Sequence, residues 1–479
     1  MMSIMKRFLT AAFCTCTMYI FSDPEPALLL SPNTDTAKSN VVLSFDEVKA
    51  LALIGNASLI TGSNNLLISK NNYIDAVRKY YIPSLRAGIK TPANAVMNSA
   101  EEPSASLTGS LVLSEELPWG TAVYVKAEET ITAESPVSES SSADSMRTKA
   151  ILGISQPLFV TYAGAYERDT LERTAAEALI DFAERERTVL SGVENAYYDY
   201  ISTVKAIALN SRRIATSESN YLLSRQKYEA GLIREIDFLR VQINFFQAQS
   251  SRLDLERTRN MRRAAVFTII GFDHGTNAEI SCEFMFTPRR FDIPLSVART
   301  LSNDSILKKI EITRIQEKAA YRKSLEKYLP QGTITAELAA DLSGSDAHSL
   351  QGTVTLNTDF FHKGAARRNN ENHRLRMQNI NIQKEQRLRE IASELTLRIT
   401  AIDALLAETE ILEENLVRQE RALEIDNQRF SLGLISSEVM LTTEEALDAA
   451  QLSLLRKKVE YAKAVTGLEY SFYPVRIHK

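Results

Sequence analysis

Tyr228-Glu-Ala-Gly231-Leu-Ile233 and Phe430-Ser-Leu-Gly433-Leu-Ile435 stand 202 residues apart, and each lies within a long proline-free stretch. The same spacing joins Gln156-Pro-Leu-Phe159 to Thr358-Asp-Phe-Phe361. Nearer the start the spacing is 247: Tyr81-Ile-Pro83 is echoed by Tyr328-Leu-Pro330, and Asn56-Ala-Ser-Leu59 by Asn303-Asp-Ser-Ile306. The offset falls by 45, from 247 to 202, so the first copy carries an insertion between Pro83 and Gln156. Two copies of one unit set the architecture.

Each copy reads as helix, strands, very long helix, tip and return helix. No proline occurs between Pro157 and Pro288 or between Pro330 and Pro474, and these stretches are rich in Leu, Ala, Glu and Arg. Such composition favours long helices. Val189, Val193, Tyr197, Tyr200, Val204, Ile207, Ser211 and Ile214 form a near-heptad seam. Leu388, Ile391, Leu395, Ile402, Leu405, Thr409, Leu412 and Leu416 form a second. Alternating steps of three and four are the pattern of packed coiled helices. The long helices are expected at about 164–229 and 366–431, each roughly 100 Å long at 1.5 Å per residue. That exceeds any bilayer, so they stand in water. Shorter helices return over Ile236 to Ile270 and Ser437 to about Tyr470. The opening helix begins at a capping box, Ser44 with Glu47, and runs to about Tyr80, where Pro83 stops the chain from coiling further. Its counterpart starts near Ser296 and ends before Pro330.

The strands lie at about 84–159 and 332–360. Leu107, Gly109, Leu111 and Leu113 alternate with polar or small neighbours, and Thr121 to Ile131 and Ala150 to Phe159 are further runs. In the second copy Ile334, Ala336 and Leu338 point one way, while Thr333, Thr335 and Glu337 point the other. Strands of about ten residues with one apolar face fit a transmembrane barrel; half of a soluble sandwich shows the same alternation. The insertion, around Leu107 to Ser145, is expected as an extra hairpin or a long external loop, with the Ser-rich stretch Ser135 to Ser145 at the surface.

Residues 1–22 read as a signal peptide: Lys6 and Arg7 precede a short apolar run, and Ser22 offers a small residue for cleavage. The first copy then occupies 23–290 and the second 291–479. Past the signal only Cys282 remains, so no disulfide within the chain is available. A net charge of −4 without a basic stripe excludes nucleic acid as a partner. The five histidines form no metal-binding spacing, and no nucleophile elbow or phosphate loop occurs. No catalytic residue, cofactor or metal is expected.

The tips, about 228–236 and 430–437, carry the remaining signal. Gly231 and Gly433 sit where a helix must reverse, and Leu232, Ile233, Leu434 and Ile435 follow where a loop is usually polar. They read either as helix caps whose apolar residues pack inward or as docking surface for a partner's helical hairpin. Arg234, Glu235 and Asp237 crowd the first tip and Glu438 the second. They are entrance or gate candidates, able to form inter-chain pairs.

The duplicated strand-and-helix plan, the Gln156-Pro-Leu-Phe159 entry to a long helix and the paired tips resemble the TolC family of outer-membrane efflux proteins. The resemblance covers nearly the whole chain after the signal. It implies a homotrimer with one shared transmembrane β-barrel in outer-membrane lipid, continued by a long periplasmic α-helical coiled-coil barrel. It further implies a passive exit duct of a tripartite efflux or type I secretion system. The tips would be opened by a periplasmic adaptor protein and an inner-membrane efflux pump or ABC exporter. The family narrows its entrance with acidic residues after the second tip; the matching positions here are Val439 and Thr442, which leaves Glu438 as the substitute. Strand number agrees independently: four to six strands per chain cannot close a barrel that needs about eight, and strand edges cannot face lipid unpaired. The rival reading is a periplasmic coiled-coil scaffold without channel activity, its strands forming a soluble domain.

Overall fold

The computed structural model describes residues 41–90, 105–117, 119–133, 145–159, 163–272, 278–282, 284, 286–343, 348–358, 364–432 and 434–472. The signal peptide, most of the Ser-rich stretch and Gly433 lie outside them.

The duplication is visible in the helices. The long helices α3 (Ala163–Glu229) and α7 (Ala365–Ser431) have 67 residues each. Their return helices α4 (Glu235–Ile270) and α8 (Ser437–Phe472) have 36 each. All four boundaries repeat at the offset of 202 read from the tip motifs. Because a return helix covers only half of its long partner, a second helical segment packs on the remainder: α2 (Ala57–Arg78) on α3, and α6 (Ser305–Leu325) on α7. The seams read from sequence are the packed faces. Val193 and Tyr197 are buried in one cluster; Leu395 and Ile399, their counterparts at the same offset, are buried in the other.

The opening helix, expected as one piece, is two. The capping box holds as read, with Ser44 accepting from the Glu47 amide and Glu47 reaching back. But α1 (Phe45–Gly55) ends at Asn56, and the chain bends by 46° into α2. Asn56 does two jobs there. Its Oδ1 accepts from the Ser58 amide at 2.9 Å, capping α2, while its Nδ2 donates to the Ile269 carbonyl at 2.8 Å near the end of α4. In the second copy α5 (Ile293–Asn303) breaks into α6 in the same way, yet the jobs are divided. Asn303 donates to the Phe472 carbonyl at 3.0 Å, and Asp304 caps α6 by accepting from Leu307 at 2.7 Å. The Asn-x-Ser echo thus aligns the bridging asparagines, but the caps lie one residue further apart. Helix propensity alone gives no reason to break; the cap and the anchored return helix do. At the first break Gly55 and Gly271 abut: a Cβ on Gly271, whose φ is +85°, would come within 2.3 Å of the Gly55 carbonyl.

The linker between the copies contains β6 (Ala278–Ile280), which pairs in parallel with β1 (Val41–Leu43). Three-residue strands carry too little periodicity to be read from sequence.

The main sheet has six antiparallel strands in the order β2 (Ser84–Lys90), β3 (Ala105–Glu116), β4 (Ala122–Ala133), β5 (Ser145–Leu158), β7 (Gln331–Asp341) and β8 (His348–Asn357). Register carries one apolar row across all six: Leu85, Leu113, Val125, Leu152, Leu338 and Leu350 lie side by side. The opposite face carries Ser84, Ser114, Tyr124, Gly153, Glu337 and Gln351 in the equivalent row. The insertion is therefore not a loose external loop. It supplies β3 and β4 inside the sheet.

Candidate functional site: the sheet face and the helix tips

The apolar face of the sheet is bare. Every member of the leucine and valine row is at least 41% exposed, and Leu350 reaches 80%. A soluble sandwich would bury that face, and no described element lies over it. At the end where the sheet meets the helices, Tyr81, Trp119 and Phe159 are all more than half exposed. Exposed aromatics bordering an apolar band mark a membrane–water interface. The edge strands β2 and β8 have no partner on their outer sides among the described residues, and in hydrocarbon unpaired backbone is costly.

At the far end of the helices, the tips reverse through backbone bonds. Leu232 donates to the Lys227 carbonyl at 2.8 Å, and Leu434 donates to the Arg429 carbonyl at 2.9 Å. This six-to-one bond is the signature of a Schellman cap, which wants a left-handed residue just before it. Gly231 fills that place with φ +69°. The four apolar tip residues divide. Ile233 and Ile435 are half-buried, as the cap reading expects, whereas Leu232 and Leu434 stay 74% and 71% exposed.

The charges divide as well. Arg234 pairs with Asp237 of its own turn at 3.1 Å, and Glu235 lies in the first turn of α4, where the helix dipole favours an acid. Glu438 instead crosses between tips, to Arg240 on α4 at 2.6 Å. Lys227 makes a second crossing: its Nζ donates to the Phe430 carbonyl at 3.1 Å and lies over that ring. Arg240 and Lys227 escaped the sequence reading, because their partners are 198 and 203 residues away. Val439 is exposed, and Thr442 bonds its hydroxyl back to the Val439 carbonyl, so neither does an acid's work.

Two carboxylates further along α8 turn inward instead. Glu444 is only 8% exposed and accepts from Asn220 of α3 at 2.5 Å. One turn on, Asp448 pairs with Arg213 at 3.0 Å beside a cavity of about 500 Å³ between α3, α4 and α8, and Arg213 also donates to Asn244 of α4. The signal for them was there: Glu444 interrupts the inward stripe of Met440, Ala450 and Leu454. Burial, reinforced by Asp448, pushes the Glu444 carboxyl from its ordinary 4.5 up to about 7, against the opposing pull of Arg213 and Asn220. Burial also raises Asp448. A carboxyl raised on folding favours the folded state most below pH 4.5, and that advantage is lost as pH rises through 7. The expected result is a lower thermal midpoint at pH 7.5 than at pH 5, reflecting at most about 3 kcal/mol. Glu444→Gln should flatten most of that slope; an unchanged slope would assign it elsewhere.

Comparison with known proteins accounts for this combination of bare sheet face and paired tips. The sequence profile of the family described as outer membrane efflux protein matches residues 68–272. Over that stretch, less than half of the chain, the sequence is similar to this family. The likeness is to outer-membrane transport channels, not to enzymes. No curated protein matches the sequence. Among solved structures, the transmembrane channel CusC superposes with a TM-score of 0.71 at 11% identity, covering 90% of this chain and 92% of that one. The CmeC outer membrane channel of Campylobacter jejuni gives 0.66 at 14% identity, covering 89% and 85%. The outer membrane protein VceC of Vibrio cholerae gives 0.66 at 14%, covering 89% and 95%. At these identities the likeness is one of fold.

Proposed function

We propose that the chain is the passive outer-membrane duct of a tripartite efflux or type I secretion system, built as a homotrimer around one shared barrel and opened at its periplasmic tips by an adaptor and an inner-membrane pump or ABC exporter. The observation that carries this is the open, one-sided sheet. Six strands with a bare apolar face and two unpaired edges are too few to close, and an even count lets β8 of one copy meet β2 of the next antiparallel. The helices are open to neighbours in the same way. Ile236, Leu239, Ile243, Phe246 and Leu253 line α4 at steps of three, four, three and seven, all at least 40% exposed, a seam that a second copy would cover. A scaffold with a soluble β-domain leaves the sheet face without a partner.

In this reading the ties Arg240–Glu438 and Lys227–Phe430 hold the two tips of one chain together at rest. The ion pair is exposed on both sides and therefore weak, which suits a contact that a partner displaces. Native mass measurement in detergent should find three chains; finding only monomers would sink the duct. Neutralising Arg240 and Glu438 together should raise single-channel conductance, while neutralising Arg234, which only pairs within its own turn, should change it little.

A further inference from the structure

The duplication reveals something about the bore of the exit. In the second copy, two strands, β7 and β8, join the helix α6 to the long helix α7. By the offsets of 247 and 202, β2 corresponds to β7 and β5 to β8, which leaves β3 and β4 as the insertion. These two strands are built into the sheet as firmly as the others. β3 pairs with β4 over Ala105–Glu116, and β4 with β5 over Ala122–Thr132. The apolar row crosses them without a gap through Leu113 and Val125. On the polar face Tyr124 of β4 reaches across β5 to bond Glu337 of β7, and its ring occupies the space that Gly153 leaves: a Cβ there would lie 2.1 Å from Tyr124 Cζ. A glycine filled by a cross-strand aromatic fixes register in a wall. The hairpin's turn, with Gly120 at φ +89° against Pro157, sits at the helix end beside the aromatic border.

From this we infer that the inserted hairpin is a wall element that widens the outer mouth and so raises the size of cargo that the mouth itself can pass. The inference rests on the three-copy reading above. Three copies of the duplicated unit alone would give twelve strands, and three copies of this chain give eighteen. Barrel diameter grows roughly in proportion to strand number, so the mouth is about 1.5-fold wider, in the range that leaves a water-filled channel. The cargo class this favours is bulky solutes or extended polypeptide rather than small ions alone, the tips acting separately as the gate.

Two experiments test it. In a variant carrying Cys282→Ser, cysteines placed at Leu111 and Val125 should react with a membrane-soluble maleimide and be protected from a charged one. Cysteines at Ser110 and Lys126 should show the reverse. Equal reaction with the charged reagent on both faces would put the hairpin in water and overturn the inference. Second, deleting residues 91–133 joins β2 to β5 in the manner of β7 to β8. Poly(ethylene glycol) added only from the loop side of a planar bilayer reports the mouth radius even where the tips limit total current. The polymer cut-off radius should fall to about two-thirds, following strand number. A trimer with an unchanged cut-off would overturn the widening. Loss of the trimer in the full-length protein would instead count against the three-copy reading, so the two failures are distinguishable.

Discussion

Replacing Leu232 and Leu434 together with aspartate should abolish export while the protein stays assembled in the outer membrane. Both side chains are more than 70% exposed, so they add almost nothing to the chain's own core. The bonds that reverse the helices at these points come from backbone amides and survive the change. The folded duct should therefore be indifferent to the substitution. A docked partner hairpin would not be. Covering a leucine contributes about 2 kcal/mol, and forcing a carboxylate into the same apolar contact costs at least as much again. With two leucines in every chain, the loss exceeds what a transient partner interface can absorb. The measurement pairs a dye-efflux assay in cells with unheated gel mobility of the trimer. If efflux persisted with both leucines changed, the tips would be helix caps and nothing more.

Arginine at Leu152 or Leu338 should prevent insertion of the folded protein, whereas arginine at Thr335 or Thr353 should leave it intact. Leu152 and Leu338 are neighbours in the apolar row, near the middle of strands β5 and β7. A basic residue facing lipid at mid-depth costs about 2–4 kcal/mol, and every copy in the barrel would bear it. Thr335 and Thr353 face each other on the polar side, where Thr335 already donates to the Thr353 carbonyl. A charge there meets water and changes stability by roughly 0.5 kcal/mol or less. Folding into lipid vesicles, followed by the heat-dependent gel shift, separates the two classes. Equal tolerance on both faces would mean that the sheet does not line a membrane pore.

The contrast between these two predictions follows from how each surface could be recognised. The sheet faces were legible from alternation alone, because side chains in a strand repeat every two residues and a single-residue slip would invert every one of them. The tips were legible as glycine followed by two apolar residues, yet that pattern says nothing about which side chain turns inward. Packing decided it: Ile233 and Ile435 went in, Leu232 and Leu434 went out. The gate charges show the same limit. Arg234, Glu235, Asp237 and Glu438 were found by proximity in sequence, but only Glu438 reaches the other tip, and its partner Arg240 lies 198 residues away.

The sequence by itself determined the duplication, the two long helices to within one residue, their return helices, and the one-sided strands. All of these depend on short-range periodicity and turn chemistry, which are local properties of the chain. Only the tertiary structure decided that the opening helix bends at Asn56, that its counterpart divides the same task between Asn303 and Asp304, and that three-residue strands staple the linker to the start. It also decided that Glu444 is buried against Asn220, and that the inserted residues become wall rather than loop. Each of these is fixed by a bond between elements far apart in sequence, and no local pattern carries the identity of a distant partner.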